Sequence, residues 1–338
     1  MLYQSTRSKT DSFTSYRALH EDRTPDGGLF VPFRLHIYDK TYIDGLKDKS
    51  IGDNIAAILN LFFGANLSGW DVDCLVGKNT VNITSMSRRI VLARTWNNPG
   101  NDFSYLVDAL YAKLCGNDSH RATNWYKIAA RIAVLFGITG EFQKLGIESY
   151  DIAAPSEDFE LISAAYYGKR MGLPIETIVC ACNENSLCWD LLHRGSMDTS
   201  AAIVPSIIPE LDVQIPVNLE RLIFGSLGVP EVIRYVDNVK DGWLYTLDPL
   251  QLQMLNKDIF VCVVGCDRVE TVINNVYRSA GLLLDPCSAV AYGGLQDYRA
   301  KTGGNRFTML ISDRNPMKYS NLIMRATGLT RSDLKKYL

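Results

Sequence analysis

Apolar residues return along this chain at two spacings, and the change of spacing divides it. Over 51–64, 102–115 and 123–137 they recur every three or four positions, the repeat of a helix with one buried face. Ahead of these, "TPDGGLFVP" at 24–32 reads as a turn and a short extended piece, with Gly27 and Gly28 supplying unusual backbone angles. Compact apolar runs predict strands: "RRIVLA" from 89, "SYDIAA" from 149, "IETIVCAC" from 175, "IFVCVVG" at 259–265 and "RFTMLIS" at 306–312. The third is nearly all apolar, as a strand covered on both faces would be. Helices near 157–171, 184–194, 218–227, 248–256 and 268–280 fall in between, the first stopped by Gly172 and Pro174. Strands alternating with helices predict an α/β fold with a mostly parallel sheet flanked by helices.

Composition narrows the function classes. A length of 338 residues suits two domains, or one large domain with an appendage. The net charge of −2 gives no general pull toward nucleic acid or an anionic membrane, and no basic run tracks a phosphate backbone. The longest apolar stretch, "IAAILNLFFGA" from Ile55 to Ala65, is too short to span a bilayer and reads as a buried helix. No apolar signal region opens the chain, so a cytoplasmic location is expected. The eight cysteines form no CxxC pair, and Cys180 and Cys182 would share one face of their strand. Buried core thiols in a reducing compartment are expected, with no metal site.

Several stretches, taken in order, resemble one family. "YQSTR" and "TPDGGLFVP" match its opening, and "NWYKIAARIAVLF" at 124–136 looks like one of its helices. "AAYYGKRMGLPIETIVCACNEN" at 164–185, "LDVQIPVNLERLIF" at 211–224, "LLDPCSAVAY" at 283–292 and "ISDRNPMKY" at 311–319 continue the match. The family is that of threonine synthase, a pyridoxal-phosphate enzyme with a fold like the β chain of tryptophan synthase. The resemblance implies an N-terminal segment over 1–88 and a large α/β domain over 89–338. It also implies that the family's small domain is reduced to a loop near 115–123.

The same resemblance locates the chemistry. The family's Schiff-base lysine lies in Gly-Pro-Thr-x-x-Phe-Lys-Asp, and the matching stretch here is Asn98-Pro99-Gly100-Asn101-Asp102-Phe103-Ser104-Tyr105. Ser104 therefore occupies the lysine position, and a serine supplies no amine. Lys113 is roughly 13 Å along the helix and on its opposite face, too far to replace it. The family's phosphate loop reads Pro-x-Gly-Asn-Phe-Gly-Asp. Here it is Pro155-Ser156-Glu157-Asp158-Phe159-Glu160, with both glycines become glutamates. Each adds a side chain and a negative charge where a dianion would sit, a repulsion of roughly 4 kcal/mol at 4 Å. The same residues also suit a helix start, with Ser156 or Asp158 as cap.

Ser156, Glu157, Asp158, Phe159 and Glu160, with Ser312 and Asp313, thus read as degenerate remnants of a cofactor site. No catalytic residue and no cofactor are expected. Asn218, Glu220, Arg221, the 183–185 turn and the DGG turn match the family; they are either scaffold or a surface for a partner. The leading expectation is a non-catalytic relative that binds a protein partner, either a genuine threonine synthase or a second copy of itself. The alternative is a diverged pyridoxal-phosphate lyase converting O-phosphohomoserine to threonine, or new chemistry using Cys287, Ser104, Asp285 or Asp313.

Overall fold

A computed structural model describes residues 1–76, 81–96, 103–115, 125–334 and 336. Strands β1 (Leu2–Ser5), β2 (Phe13–Thr14) and β3 (Phe30–Pro32) make a small antiparallel sheet in the order β2-β1-β3. The main sheet uses β4 (Asn82–Ser87), β5 (Ile90–Arg94), β6 (Tyr150–Pro155) and β7 (Ile175–Cys182). After a separate two-stranded ribbon, β8 (Ser196–Asp198) and β9 (Leu244–Thr246), come its last members, β10 (Ile259–Val263) and β11 (Thr308–Ser312). The order is β10-β7-β6-β11-β5-β4, parallel throughout except where β4 runs against β5. The predicted mixed α/β fold with a mostly parallel sheet is what the chain adopts. Because β4 precedes residue 88, the main sheet begins before residue 89.

Alternation along the strands divides the core in two. Val91, Ala93, Ile152, Ala154, Cys180, Cys182, Met309 and Ile311 face the helices Ile51–Phe63 and Trp125–Lys144 together with the N-terminal segment. Leu92, Ala153, Val179, Ala181 and Leu310 face the helices Val269–Ala280 and Pro286–Thr302. A parallel sheet with both faces covered needs apolar residues at odd and even positions alike, which is why β7 is apolar and buried without a break from Ile178 to Cys182. Cys180 and Cys182 do share one face, fully buried.

Local signals set the ends of the helices. Ser50 and Asp53 form a capping box at the start of Ile51–Phe63, and Gly64 closes it at φ 65°. The helix expected to end at 137 runs on to Lys144. Gly137 and Gly140 do not stop it; they let it press on its neighbour, where a Cβ on Gly140 would stand 2.7 Å from the Leu46 carbonyl oxygen. Among the described residues no helix is long and apolar enough to cross a membrane. The loop expected near 115–123 lies almost wholly outside the described residues, only Cys115 falling within them as the last residue of its helix.

Candidate functional site

Three elements that lie far apart in sequence meet at the C-terminal ends of β5, β6 and β11. Phe103 opens a helix, Phe103–Cys115, and its backbone N–H donates to the Asp313 carbonyl at 2.9 Å. The loop after β6 turns sharply, the Phe159 N–H returning to the Ser156 carbonyl at 2.8 Å, and enters the helix Glu160–Arg170. Asp313 and Arg314 follow directly on β11. These pieces, with Lys127 and Arg131 from the long helix and Glu210 and Val213 from a later loop, enclose a cavity of about 320 Å³.

The expected site residues divide into two groups. Ser104, Glu157, Asp158, Glu160 and Asp313 all line the cavity. Ser156, Phe159 and Ser312 are buried in the walls. Ser156 donates its N–H to the Ala181 carbonyl at 2.8 Å. Ser312 donates its hydroxyl to Asp285 at 3.0 Å and accepts from the Trp96 indole at 3.2 Å. Cys287 is buried, and burial pushes its thiol up, away from a nucleophilic thiolate. Asp285 is spent as a helix cap, accepting from the Cys287 and Ser288 N–H groups at 3.0 and 3.1 Å. Positions 98–102 of the stretch matched to the lysine motif lie outside the described residues.

Electrostatically the cavity holds five acids, Glu157, Asp158, Glu160, Glu210 and Asp313, against three cations, Lys127, Arg131 and Arg314. Arg314 reaches Glu157 through two nitrogens at 2.5 and 3.1 Å. Arg131 bridges Glu160 and Asp313, and its guanidinium carbon lies 4.1 Å from the centre of the Phe103 ring. Lys127 stands 3.9 Å from Glu160. Burial alone would pull Arg131 down, but Asp313 and Glu160 hold it above the ordinary guanidinium range. Asp158 is pushed up to about 6 by burial first and by Glu160 and Glu157 second. The glutamates are therefore not bare charges, as the simple repulsion argument takes them to be: each is neutralised by an arginine of the same cavity.

The loop backbone carries strain. Glu157 and Phe159 are the two non-glycine residues at positive φ, 41° and 62°, among those described. Phe159 occupies the helix cap without a side-chain bond; Asp158 does the capping, accepting from the Glu160 N–H at 3.0 Å. Ser156 does not cap.

Sequence reasoning missed Lys127 and Arg131. Their signal was present: two cations four residues apart on an otherwise apolar helix share a face. The residues matching the family outside the cavity are wired inward. Glu220 receives Arg7 at 2.8 and 3.0 Å and the Thr6 hydroxyl. Arg221 is fully buried, donates to the Phe30 carbonyl at 3.1 Å and is pulled down to about 10 by burial. Asn183, Asn185 and Asn218 are buried too, whereas Glu184 of the same turn and Asp26 of the DGG turn are exposed.

Comparison with known proteins gives consistent results. Residues 2–78 match the family described as "Threonine synthase N terminus". Threonine synthase of Pseudomonas aeruginosa is 27% identical over 210 residues, 60% of this chain and 43% of that protein. Threonine synthase of Saccharomyces cerevisiae is 25% identical over 256 residues, 68% of this chain and 49% of that protein. The chain thus spans about half the length of the curated relatives it matches. In fold it is similar to the pyridoxal-phosphate-bound threonine synthase of Brucella melitensis, with a TM-score of 0.87 at 19% identity, covering 97% of this chain and 92% of that one.

Proposed function

The chain belongs to the threonine synthase family, and we propose that within it this protein is non-catalytic, binds no pyridoxal phosphate and serves as a scaffold for a protein partner. The observation that carries the reading is internal pairing. Arg131 and Arg314, the cations that could receive a phosphate, are engaged by Glu160 and Asp313 and by Glu157. A phosphate dianion would have to break these pairs and leave their carboxylates buried without a counter-charge, which costs several kcal/mol. Glu157 also places a side chain at a left-handed backbone position where the family has glycine. The residues present do not fit the cofactor.

The partner would be a second copy of this chain or a genuine threonine synthase. Apolar side chains exposed just before the cavity rim support an interface: Ile203 at 56%, Val204 at 48% and Ile207 at 44%. We further propose that the small domain of the family is reduced here to the link between the helices Phe103–Cys115 and Trp125–Lys144. A cytoplasmic location suits eight cysteines of which none is in a disulfide.

A second reading has one observation in its favour. Lys127 brings a primary amine to the cavity that Ser104 does not, which would suit a diverged lyase. One experiment separates the two. The purified protein is incubated with pyridoxal phosphate, reduced with borohydride and weighed intact, then digested. Scattered substoichiometric labelling is expected. A single stoichiometric adduct on Lys127 would establish the lyase reading and end the non-catalytic one.

A further inference from the structure

Strand β5 has a second cavity behind it, on the face opposite the one described. Alternation turns Ala93 and Thr95 to the face of the first cavity, where the Thr95 hydroxyl donates to Asp313 at 2.8 Å, and Leu92, Arg94 and Trp96 to the other. This second space is about 130 Å³ and is otherwise walled by Leu282, Leu283, Pro316, Met317, Ile323 and Leu334. Leu283, Ile323 and Leu334 form a small buried core of their own, so this side of the wall is apolar.

Arg94 is the single charge on this lining. Its guanidinium carbon lies 5.5 Å from the centre of the Trp96 ring, and that indole is pinned by its bond to Ser312 at 3.2 Å. The Arg94 Nε is sealed from solvent with no hydrogen-bond acceptor, and among the described residues no carboxylate pairs with the side chain. Every other arginine treated above is satisfied by protein groups. A buried donor left unmet costs about 1–3 kcal/mol, which an acceptor entering the cavity would recover.

We propose that this cavity is a binding site for a small monocarboxylic acid with a branched or aromatic apolar tail, its carboxylate taken side-on by Arg94. The chemistry selects that class at each point. One guanidinium matches one negative charge in two parallel hydrogen bonds. A dianion such as phosphate would bring a second charge to apolar walls with nothing to meet it. A neutral apolar molecule would leave the Nε unpaired, and an amine would meet a like charge. Size limits the tail: a cavity of about 150 Å³ holds one benzene, so the tail carries about six carbons or fewer. The site lies across the strand from the paired-charge cavity and stands whether or not that cavity binds a cofactor.

The test titrates the intact protein with isocaproate and with its amide, following the Met317 methyl resonance and the heat of binding. Isocaproate should bind at least about tenfold more tightly than isocaproamide, a difference of about 1.4 kcal/mol. Arg94→Met should erase that preference, and Leu282→Trp, which plugs the cavity, should abolish binding of both. Equal affinity for acid and amide overturns the proposal, as does no binding of the acid at millimolar concentration. Unchanged acid affinity in Arg94→Met does so too. If Arg94→Met fails to fold, the acid-to-amide ratio on the unaltered protein still decides.

Discussion

The two cavities either side of β5 differ in how their charge is met. In the larger, three cations stand among five acids, and both arginines have carboxylate partners, Arg131 in Glu160 and Asp313 and Arg314 in Glu157. In the smaller, one arginine sits among aliphatic side chains and its inner nitrogen has nothing to bond. The lesson is that a charged cavity is not by itself a ligand site. Where the protein supplies its own counter-charges, a ligand must compete with groups held at high effective concentration. Where it leaves a donor unmet, a ligand competes only with the desolvation cost already borne by the fold.

The comparison predicts a large asymmetry in stability. Arg131→Met should cost about 3–5 kcal/mol, because it strands Glu160 and Asp313 in a buried setting; denaturant titration reads this as a lower midpoint. A loss below about 1 kcal/mol would mean the network is solvated and its pairs are weak.

Next in size is what the carboxylates hide. Glu157→Gly with Glu160→Gly should free Arg314, leave Arg131 with Asp313 as its one carboxylate partner and relieve the strained φ at 157, turning the cavity into an anion site. Phosphate should then stabilise the double variant by about 1.4 kcal/mol at ten times its Kd, while leaving the unaltered protein's melting temperature in place. Equal stabilisation of both proteins by phosphate would show that internal pairing is not what closes the site.

A smaller effect follows pH. The carboxyl of Asp158 titrates near 6 in the folded protein, above its unfolded value. Its contribution to stability is therefore fully present below about pH 4 and is lost as pH rises through about 6. Asp158→Asn keeps the cap acceptor and removes the charge. It should match the unaltered protein at pH 4 and exceed it by on the order of 1 kcal/mol at pH 7.5. A constant difference across that range would place the titration elsewhere.

The smallest effect belongs to the other cavity. Arg94→Met should change stability by less than about 1 kcal/mol in either direction, since relief of the unmet Nε–H is offset by loss of the guanidinium contact with Trp96. A loss above about 2 kcal/mol would reveal that Arg94 holds the fold together.

By itself the sequence determined the architecture. Five of the six strands of the main sheet contain an apolar run of three or more residues, because a strand covered on both faces buries odd and even positions alike. It also determined which residues stand at Ser104 and in the 156–160 loop, since those positions follow from chain order alone. The helix Pro286–Thr302 escaped it for a physical reason: Gly293 and Gly294 look like breakers, yet they lie against Val264, Ala181 and Cys262, where a Cβ would stand 2.7 to 2.9 Å away. What only the tertiary structure decided is the state of the charges. Glu157 and Arg314 are far apart in the chain, and Glu160 meets Arg131 from another helix, so no local pattern announces that the acidic loop is neutralised. The same holds for Arg94, whose isolation is a property of everything packed around it. Propensity and period are written in neighbouring residues, whereas pairing across a sheet is fixed only when the chain has closed on itself.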